Sequence, residues 1–329
     1  MSGGAAGHGR TRRWDLRGRT IDGATYELVP QRNDSIAFGV ERALVSLHPD
    51  GSPTVSPGSP RVGRALPLAP EPWPEYPRSA FEADGATYDV LRHVLPGAAS
   101  VILLHELNGL TERTILVADR VVAGGFSVTM PVLLPPTTPR PGLRQQLRNA
   151  WRVCVSDQFA ACARRRDRPL TRWLRGLAAH EARVSGRPVG IVGMSLTGGF
   201  ALAAAVDASV GAAVASQPAT PPSYLRWTRD LAMSNDTLDD LADRAEAGFR
   251  VRAMRFSGDR ISRRQRMRFI GEVLPNAQIV EVPGINPLRH SLLTAAARAD
   301  EGSALHAALA GTIDYLHDQL GAPAIDGAA

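Results

Sequence analysis

Apolar and polar positions along this chain change period several times, and the changes divide it into segments. From about Phe81 onward, short apolar runs alternate with stretches whose apolar residues recur every three to four positions. That is the pattern of β-strands alternating with amphipathic helices. "ATYDVLRHVLP" predicts a half-buried strand and "ASVILLH" a fully apolar one. Thr111–Ala123 predicts an amphipathic helix closed by Gly124-Gly125, and "FSVTMPVLL" a further strand before the proline-rich loop "PPTTPRPG". Helical patterns then cover Leu143–Arg164 and Leu170–Val184. The strand "PVGIVGM" leads through a serine turn into the helix "GGFALAAAV". Strand "GAAVAS", a loop and helix to about Gly248, strand "VRAMRFS", a helix from Arg263, strand "AQIVEVP" and a last helix from about Ser303 to Leu320 complete the series.

Upstream the texture is different. Residues 1–13 are rich in Gly, Ala and Arg, have almost nothing to bury, and read as a disordered tail. Residues 14–78 read as an N-terminal extension with short β-like runs, "ATYELVP" and "RALVSLHP". Its Pro/Gly/Ser-rich part, 49–78, reads as a polyproline-like crossing or linker. The alternating domain takes residues 79–322, and 323–329 form a flexible end. Alternation of this kind predicts an α/β fold: a doubly wound, mostly parallel sheet with helices on both faces. Ligands of such sheets bind outside the carboxyl ends of the strands, so chemistry is sought just after each apolar run.

Those ends carry a consistent set. Glu106, Leu107, Asn108 and Gly109 follow "ASVILLH", and Ser195 follows "PVGIVGM". Gly258 and Asp259 follow "VRAMRFS", and His290 lies in the loop after "AQIVEVP". Ser…Asp…His is the chain order of α/β-hydrolase triads. A serine hydroxyl needs a base to take its proton during attack, and an imidazole titrates in the right range. An aspartate would hold that imidazole in one tautomer. Gly193, Thr197 and Gly198 are the small residues a sharp strand-to-helix turn at Ser195 requires. The backbone N–H groups of Leu196 and Leu107 are the candidate donors to an oxyanion. His105 ends a buried strand, and its alternation points it away from Glu106, which assigns it to structure. A relaxed G-x-S-x-[GAST] arises by chance about once in a chain of this composition, so the weight rests on three strand ends agreeing.

Composition removes alternatives. All 38 Lys+Arg residues are arginine, and the absence of lysine excludes a Walker A loop, a Schiff-base lysine and a Ser–Lys dyad. Cys154 and Cys162 are too few for a disulfide framework or a cysteine-rich zinc site. The 8 histidines are scattered without metal-ligand spacing, so no metal and no cofactor is expected. No run approaches the roughly 20 apolar residues of a membrane span. "MSGGAAGHGRTRRW" lacks the apolar segment of a secretory signal, which points to the cytoplasm. A net charge of +6 comes with arginine clusters at 10–13, 164–168 and 263–268. Without a recognition motif or stacking aromatics these read as solvated helix faces, not a nucleic-acid surface.

Taken together, "VILLHELNGLTERT…VADRVVAGGFSVTMPVLL", "GIVGMSLTGGFALAAAV", "RFSGDR" and "HSLLT" resemble the dienelactone hydrolase family of α/β-hydrolases. The likeness is to a bacterial branch with a G-M-[C/S]-x-T-G-G elbow. It covers about Phe81 to Leu320 and leaves out residues 1–75. It implies the α/β-hydrolase fold, a nucleophile at Ser195, and Asp259 and His290 as its partners. It also implies Glu106 as a fourth active-site residue near the nucleophile, and the backbone of Leu107 and Leu196 as oxyanion donors. Two departures stand out. The family's best-known members use cysteine where this chain has Ser195. The arginine they place shortly after the catalytic histidine is missing from "SLLTAAA", leaving only Arg289 and, later, Arg298.

The expected activity is therefore hydrolysis of a small ester or lactone through an acyl-Ser195 intermediate, with loops 134–148 and 217–236 as the specificity rim. The competing expectation is a non-catalytic protein of the same fold, whose N-terminal extension docks a partner.

Overall fold

The computed structural model describes residues 26–28, 43–47, 53–57, 73–134, 149, 159, 167–219, 230–287 and 289–321. The chain divides into two compact units, Met1–Glu71 and Pro72–Ala329. In the first unit β1 (Tyr26–Leu28), β2 (Ala43–Leu47) and β3 (Pro53–Pro57) form an antiparallel sheet in the order β1-β2-β3. β1 and β2 coincide with the two β-like runs. β3 corrects the polyproline reading of its segment: its prolines sit at the two ends of an edge strand, where a missing N–H does least harm to the ladder. The tail 1–13, the terminus 323–329, and most of the pattern 143–164 with Cys154 and Cys162 lie outside the described residues.

The second unit begins at Pro72, upstream of residue 79, and is built on eight strands. They are β4 (Arg78–Ala83), β5 (Ala86–His93), β6 (Ser100–Leu104), β7 (Ser127–Pro131), β8 (Val189–Met194), β9 (Val210–Ser216), β10 (Val251–Phe256) and β11 (Gln278–Val282). Their order is β11-β10-β9-β8-β6-β7-β5-β4. β4 and β7 run antiparallel to β5, and every other neighbouring pair is parallel. The mostly parallel sheet expected from the sequence is thus present, with an antiparallel hairpin at one side. β4 has no counterpart among the expected strands. Its signal was Asp84-Gly85, with φ of 49° and 71°, a two-residue hairpin turn that only Asp/Asn-Gly sequences form readily.

Seven helices complete the described part of this unit: α1 (Glu112–Ala123), α2 (Pro169–Ser185), α3 (Leu196–Ala204), α4 (Asn235–Glu246), α5 (Arg264–Val273), α6 (Leu292–Ala296) and α7 (Ala304–Leu320). Their limits follow local chemistry. Thr111, Ser234 and Ser303 accept from the backbone N–H three residues on, as N-caps do. Pro169 opens α2, and the left-handed Gly186 closes it. α6 was not anticipated, because five residues are too few to display a helical period.

The central strands β6 and β8 are buried on both faces, which explains their unbroken apolar sequences. Ile102, Leu104 and Ile191 point into one core with Trp173 of α2 and Phe200 of α3. Gly190 faces the other side, where Leu316 and Leu320 of α7 and Val101 leave no room for a Cβ. Among the described residues, no helix is long and apolar enough to cross a membrane.

The described arginines of these clusters are only partly solvated. Arg168 and Arg266 are fully buried, which corrects the helix-face reading for both. The Arg168 guanidinium lies 5.6 Å from the centroid of the Phe200 ring, and Arg266 Nη1 donates to the Asp230 carbonyl at 2.6 Å. Arg264 pairs with Glu281 at 2.9 Å, and Arg255 pairs with the same carboxylate at 2.7 Å. These arginines fasten elements together, an economical use of a charge that needs geometry-matched acceptors.

Candidate active site

Strand register brings the expected residues together. Leu104 of β6 lies opposite Gly193 of β8, Met194 opposite Ser216 of β9, and Ser216 opposite Met254 of β10. Four parallel strands therefore finish at one level, and the residues just beyond them share one rim.

Ser195 stands between β8 and α3 with φ 57° and ψ −119°, a conformation that costs a non-glycine residue of order 1–3 kcal/mol. Neighbouring bonds hold it there. Its N–H donates to the Ser216 carbonyl at 2.9 Å, and its carbonyl accepts from Gly198 at 3.1 Å and Ala219 at 3.0 Å. Thr197, in the place of the usual second elbow glycine, is buried. Its hydroxyl accepts from the Met194 N–H at 2.9 Å and faces the carbonyls of Met194, His105 and Leu104 at 2.9, 3.1 and 3.3 Å. Threonine here binds the end of β8 to the end of β6, which glycine could not do.

Gly193 has no freedom at all. A Cβ on it would sit 2.3 Å from the Thr197 carbonyl oxygen, a backbone atom that cannot move aside. Gly193→Ala is expected to destabilise by about 2–3 kcal/mol, read as a fall of roughly 5–10 °C in Tm. An unchanged Tm would contradict this packing.

His290 approaches from the loop after β11. Its Nε2 lies 2.8 Å from Ser195 Oγ, and its Nδ1 lies 2.7 Å from Asp259 Oδ2. The carboxylate can only accept, so Nδ1 carries the proton and Nε2 is left free to accept from the serine. Asp259 Oδ1 accepts from the N–H groups of Ile261 at 2.7 Å and Ser262 at 3.1 Å. Arg255, buried beneath, donates to the carbonyls of Asp259 and Ser262 at 2.8 and 2.7 Å and so fixes that turn. The Asp259 side chain is 0% exposed and that of His290 13%, so solvent reaches the pair only through the imidazole. Gly258 is needed beside them, because a Cβ there would meet the Gly284 carbonyl at 2.3 Å.

Glu106 joins this group but does not touch Ser195 Oγ through a hydrogen bond. Its Oε1 accepts from Gln217 Nε2 at 2.8 Å and its Oε2 from Ser291 Oγ at 2.7 Å. Burial pushes its pKa above the usual carboxylate range, against the two hydrogen bonds and the nearby His290 and Arg113, which favour the anion. The sequence reading missed Gln217 and Ser291. Both had a positional signal, since one follows the end of β9 and the other follows His290. Of the proposed rim loops, Gln217 is buried, 235–236 belong to α4, and most of 134–148 lies outside the described residues.

Leu196 is the first residue of α3, so its N–H has no acceptor within that helix. The Leu107 peptide is held by Asn149 Nδ2, which donates to its carbonyl at 3.0 Å. Arg289 stacks 4.7 Å over the Phe256 ring, and Arg298 is exposed after α6. Among the described residues no group of three or more His, Cys, Asp or Glu could hold a metal ion.

His105 is fully buried in a framework role. Its Nδ1 lies 2.7 Å from the Glu106 carbonyl, and its Nε2 accepts from the N–H groups of Leu133 and Leu134 at 3.0 and 3.3 Å. Burial lowers its pKa to about 4. A histidine depressed on folding contributes stability that is present above its unfolded pKa of about 6.5 and lost as the pH falls through the folded value. Urea unfolding is expected to weaken by on the order of 3 kcal/mol between pH 6.5 and 4 from this group. In His105→Leu that part of the decline should vanish; an identical decline in both proteins would refute it.

With this geometry in hand, the chain can be set beside known proteins. The sequence profile of the dienelactone hydrolase family matches residues 91–234. No curated protein matches the sequence. A Klebsiella pneumoniae protein described as a dienelactone hydrolase superposes with a TM-score of 0.50 at 13% identity, over 73% of this chain and 97% of that one. The dienelactone hydrolase of Anabaena variabilis gives 0.48 at 16%, over 75% and 99%. A thermostable esterase from Pseudomonas putida gives 0.47 at 14%, over 75% and 83%. At such identity the first of these speaks for the fold alone, the α/β-hydrolase fold.

Proposed function

We propose that this chain, whose residues 91–234 match the dienelactone hydrolase family, is a serine hydrolase of that kind, which cleaves a small carboxylic ester or lactone through an acyl-Ser195 intermediate. One observation carries the reading. Ser195 Oγ, His290 and Asp259 form a continuous hydrogen-bonded line, 2.8 and 2.7 Å per link, at the carboxyl end of a parallel sheet. The strained backbone of Ser195 supports it further, since strain of that kind collects at working sites.

In this mechanism Ser195 Oγ attacks the ester carbonyl carbon while His290 Nε2 takes the hydroxyl proton. The carbonyl oxygen becomes an oxyanion and is met by the N–H groups of Leu107 and Leu196, each worth about 10²–10³ in rate. Asp259 stabilises the imidazolium and keeps its Nδ1 proton in place. As the tetrahedral species collapses, the C–O bond to the leaving alcohol breaks, and His290 returns its proton to that oxygen. A water then attacks the acyl-Ser195 carbonyl with His290 again as base, and the carboxylic acid leaves as Ser195 regains its proton. A lactone follows the same course, except that the alcohol stays attached to the acyl group.

The test combines turnover of short p-nitrophenyl esters with covalent labelling by a fluorophosphonate. The expected result is turnover and complete labelling at Ser195. A full-length protein that neither turns over these esters nor takes the label would refute the reading.

A further inference from the structure

Glu106 poses a question that the triad leaves open. A buried carboxyl beside a serine nucleophile would act as a base only if an oxygen faced that nucleophile, and here both oxygens are otherwise engaged. Gln217 Nε2 holds Oε1 at 2.8 Å, and Ser291 Oγ holds Oε2 at 2.7 Å. Ser195 Oγ meanwhile faces His290 Nε2.

Both partners are themselves fixed. Gln217 is fully buried, with φ of 36°, unusual for a residue other than glycine. Its N–H donates to the Met254 carbonyl at 2.6 Å, tying it to the end of β10, and its side-chain oxygen accepts from Ser216 Oγ. The Glu106 carboxylate can only accept and so takes the amide nitrogen, which leaves the amide oxygen to the Ser216 hydroxyl, a group able to donate. Ser291 is the residue next to His290 and precedes α6.

The described part of the loop after β11 meets the sheet end through Arg289, which stacks over Phe256, and through longer hydrogen bonds. Gly284 exchanges hydrogen bonds with Ser257 Oγ at 3.2 and 3.4 Å, the Pro287 carbonyl accepts from Arg260 at 3.4 Å, and Ile285 is 100% exposed. Short side-chain bonds lie at its far end, where the His290 ring meets Asp259 at 2.7 Å and the Ser291 hydroxyl meets Glu106 at 2.7 Å.

We infer that Glu106, clamped by Gln217 and gripping Ser291, is a positioning residue that latches the His290 segment onto the end of β6. It acts through His290 and not on the Ser195 hydroxyl. This rests on the serine-hydrolase reading above. The latch needs hydrogen-bonding capacity more than charge. A protonated carboxyl can still bond Ser291, whose hydroxyl accepts as well as donates, and so can an amide. An ångström of drift in a general base costs about 10²-fold in rate, so the loss of the latch should be felt in kcat.

The test measures kcat and KM on a p-nitrophenyl ester for full-length Glu106→Ala, Glu106→Gln, Ser291→Ala and Gln217→Met. Glu106→Ala is expected to lose about 10² in kcat with KM nearly unchanged. Ser291→Ala, which removes the same bond from the other side, should lose a comparable amount, and Gln217→Met about tenfold, since the Ser291 bond remains. Glu106→Gln should recover to within about tenfold of wild type. A Glu106→Gln variant as slow as Glu106→Ala, or Ser291→Ala at full rate, would overturn the latch in favour of a role for charge. If Glu106→Ala does not fold, the other three variants decide. Hydrogen exchange of the 284–292 peptide gives a readout independent of turnover. It should be faster than wild type in Ser291→Ala and unchanged in Glu106→Gln; equal exchange in Ser291→Ala and wild type overturns the latch. An inactive, unlabelled wild type with the expected exchange pattern would remove the hydrolase and leave the latch.

Discussion

Ser195→Ala is expected to lower kcat on short p-nitrophenyl esters by about 10⁴–10⁶ and to abolish fluorophosphonate labelling, with the fold intact. The size follows from what is removed. Without the hydroxyl no acyl-enzyme can form, and His290 is left beside an empty space with no proton to take. Oxyanion donors and substrate binding can still sustain about 10³–10⁴ over the reaction in water, so activity should fall to that residue and not to zero. Stability should change little, because the hydroxyl's partner is a partly exposed imidazole. The strained φ of 57° remains with alanine, and so does its cost. Turnover equal to wild type, measured on protein of unchanged Tm, would refute the assignment of the nucleophile.

Asp259→Asn should cost about 10⁴ in kcat for a more specific reason. Oδ1 accepts from two backbone N–H groups, Ile261 and Ser262, so only the amide oxygen of an asparagine can occupy that place. The amide NH₂ must then face His290 Nδ1, which has to become an acceptor. The imidazole proton moves to Nε2, opposite Ser195 Oγ, and a nitrogen that already carries a proton cannot take the serine's. The defect is one of tautomer, not of folding. Raising the pH should not rescue the rate, and the unfolding free energy from urea titration should stay within about 1 kcal/mol of wild type, as it does when a buried hydrogen-bonding side chain is exchanged for an isostere that keeps its bonds. A loss of less than tenfold would show that the carboxylate does not set the tautomer.

Most of the sheet, and the places of Ser195, Asp259 and His290 beside its strand ends, could be read from the sequence because they depend on local signals. "SVILL" and "VGIVGM" are short apolar runs bounded by turn residues, the pattern of strands buried on both faces, and an apolar run followed by a single polar residue marks a strand end. The same reasoning failed where the determining partner is far away. "RSAFEA" alternates poorly, and becomes a strand because "ATYDVLRH" pairs with it across the Asp84-Gly85 turn. Arg168 and Arg266 look like surface charges until an aromatic ring and a backbone carbonyl from distant segments are placed against them. "PTVSP" reads as irregular because prolines dominate it, yet an edge strand tolerates them at its ends.

The sequence by itself determined the alternation of strands and helices from β5 onward apart from α6, the residue type at each strand end, and the need for small residues around Ser195. Each of these follows from periodicity or from a steric demand within a few residues. Only the tertiary structure decided what Glu106 does. Its two oxygens find Gln217, 111 positions away, and Ser291, 185 positions away, and no local pattern encodes a pairing across three strand ends. Hydrogen bonds of that range exist only once the parallel register has brought the ends of β6, β9 and the His290 loop to one level. The position of a buried carboxyl, and with it the choice between base and latch, is a property of that register.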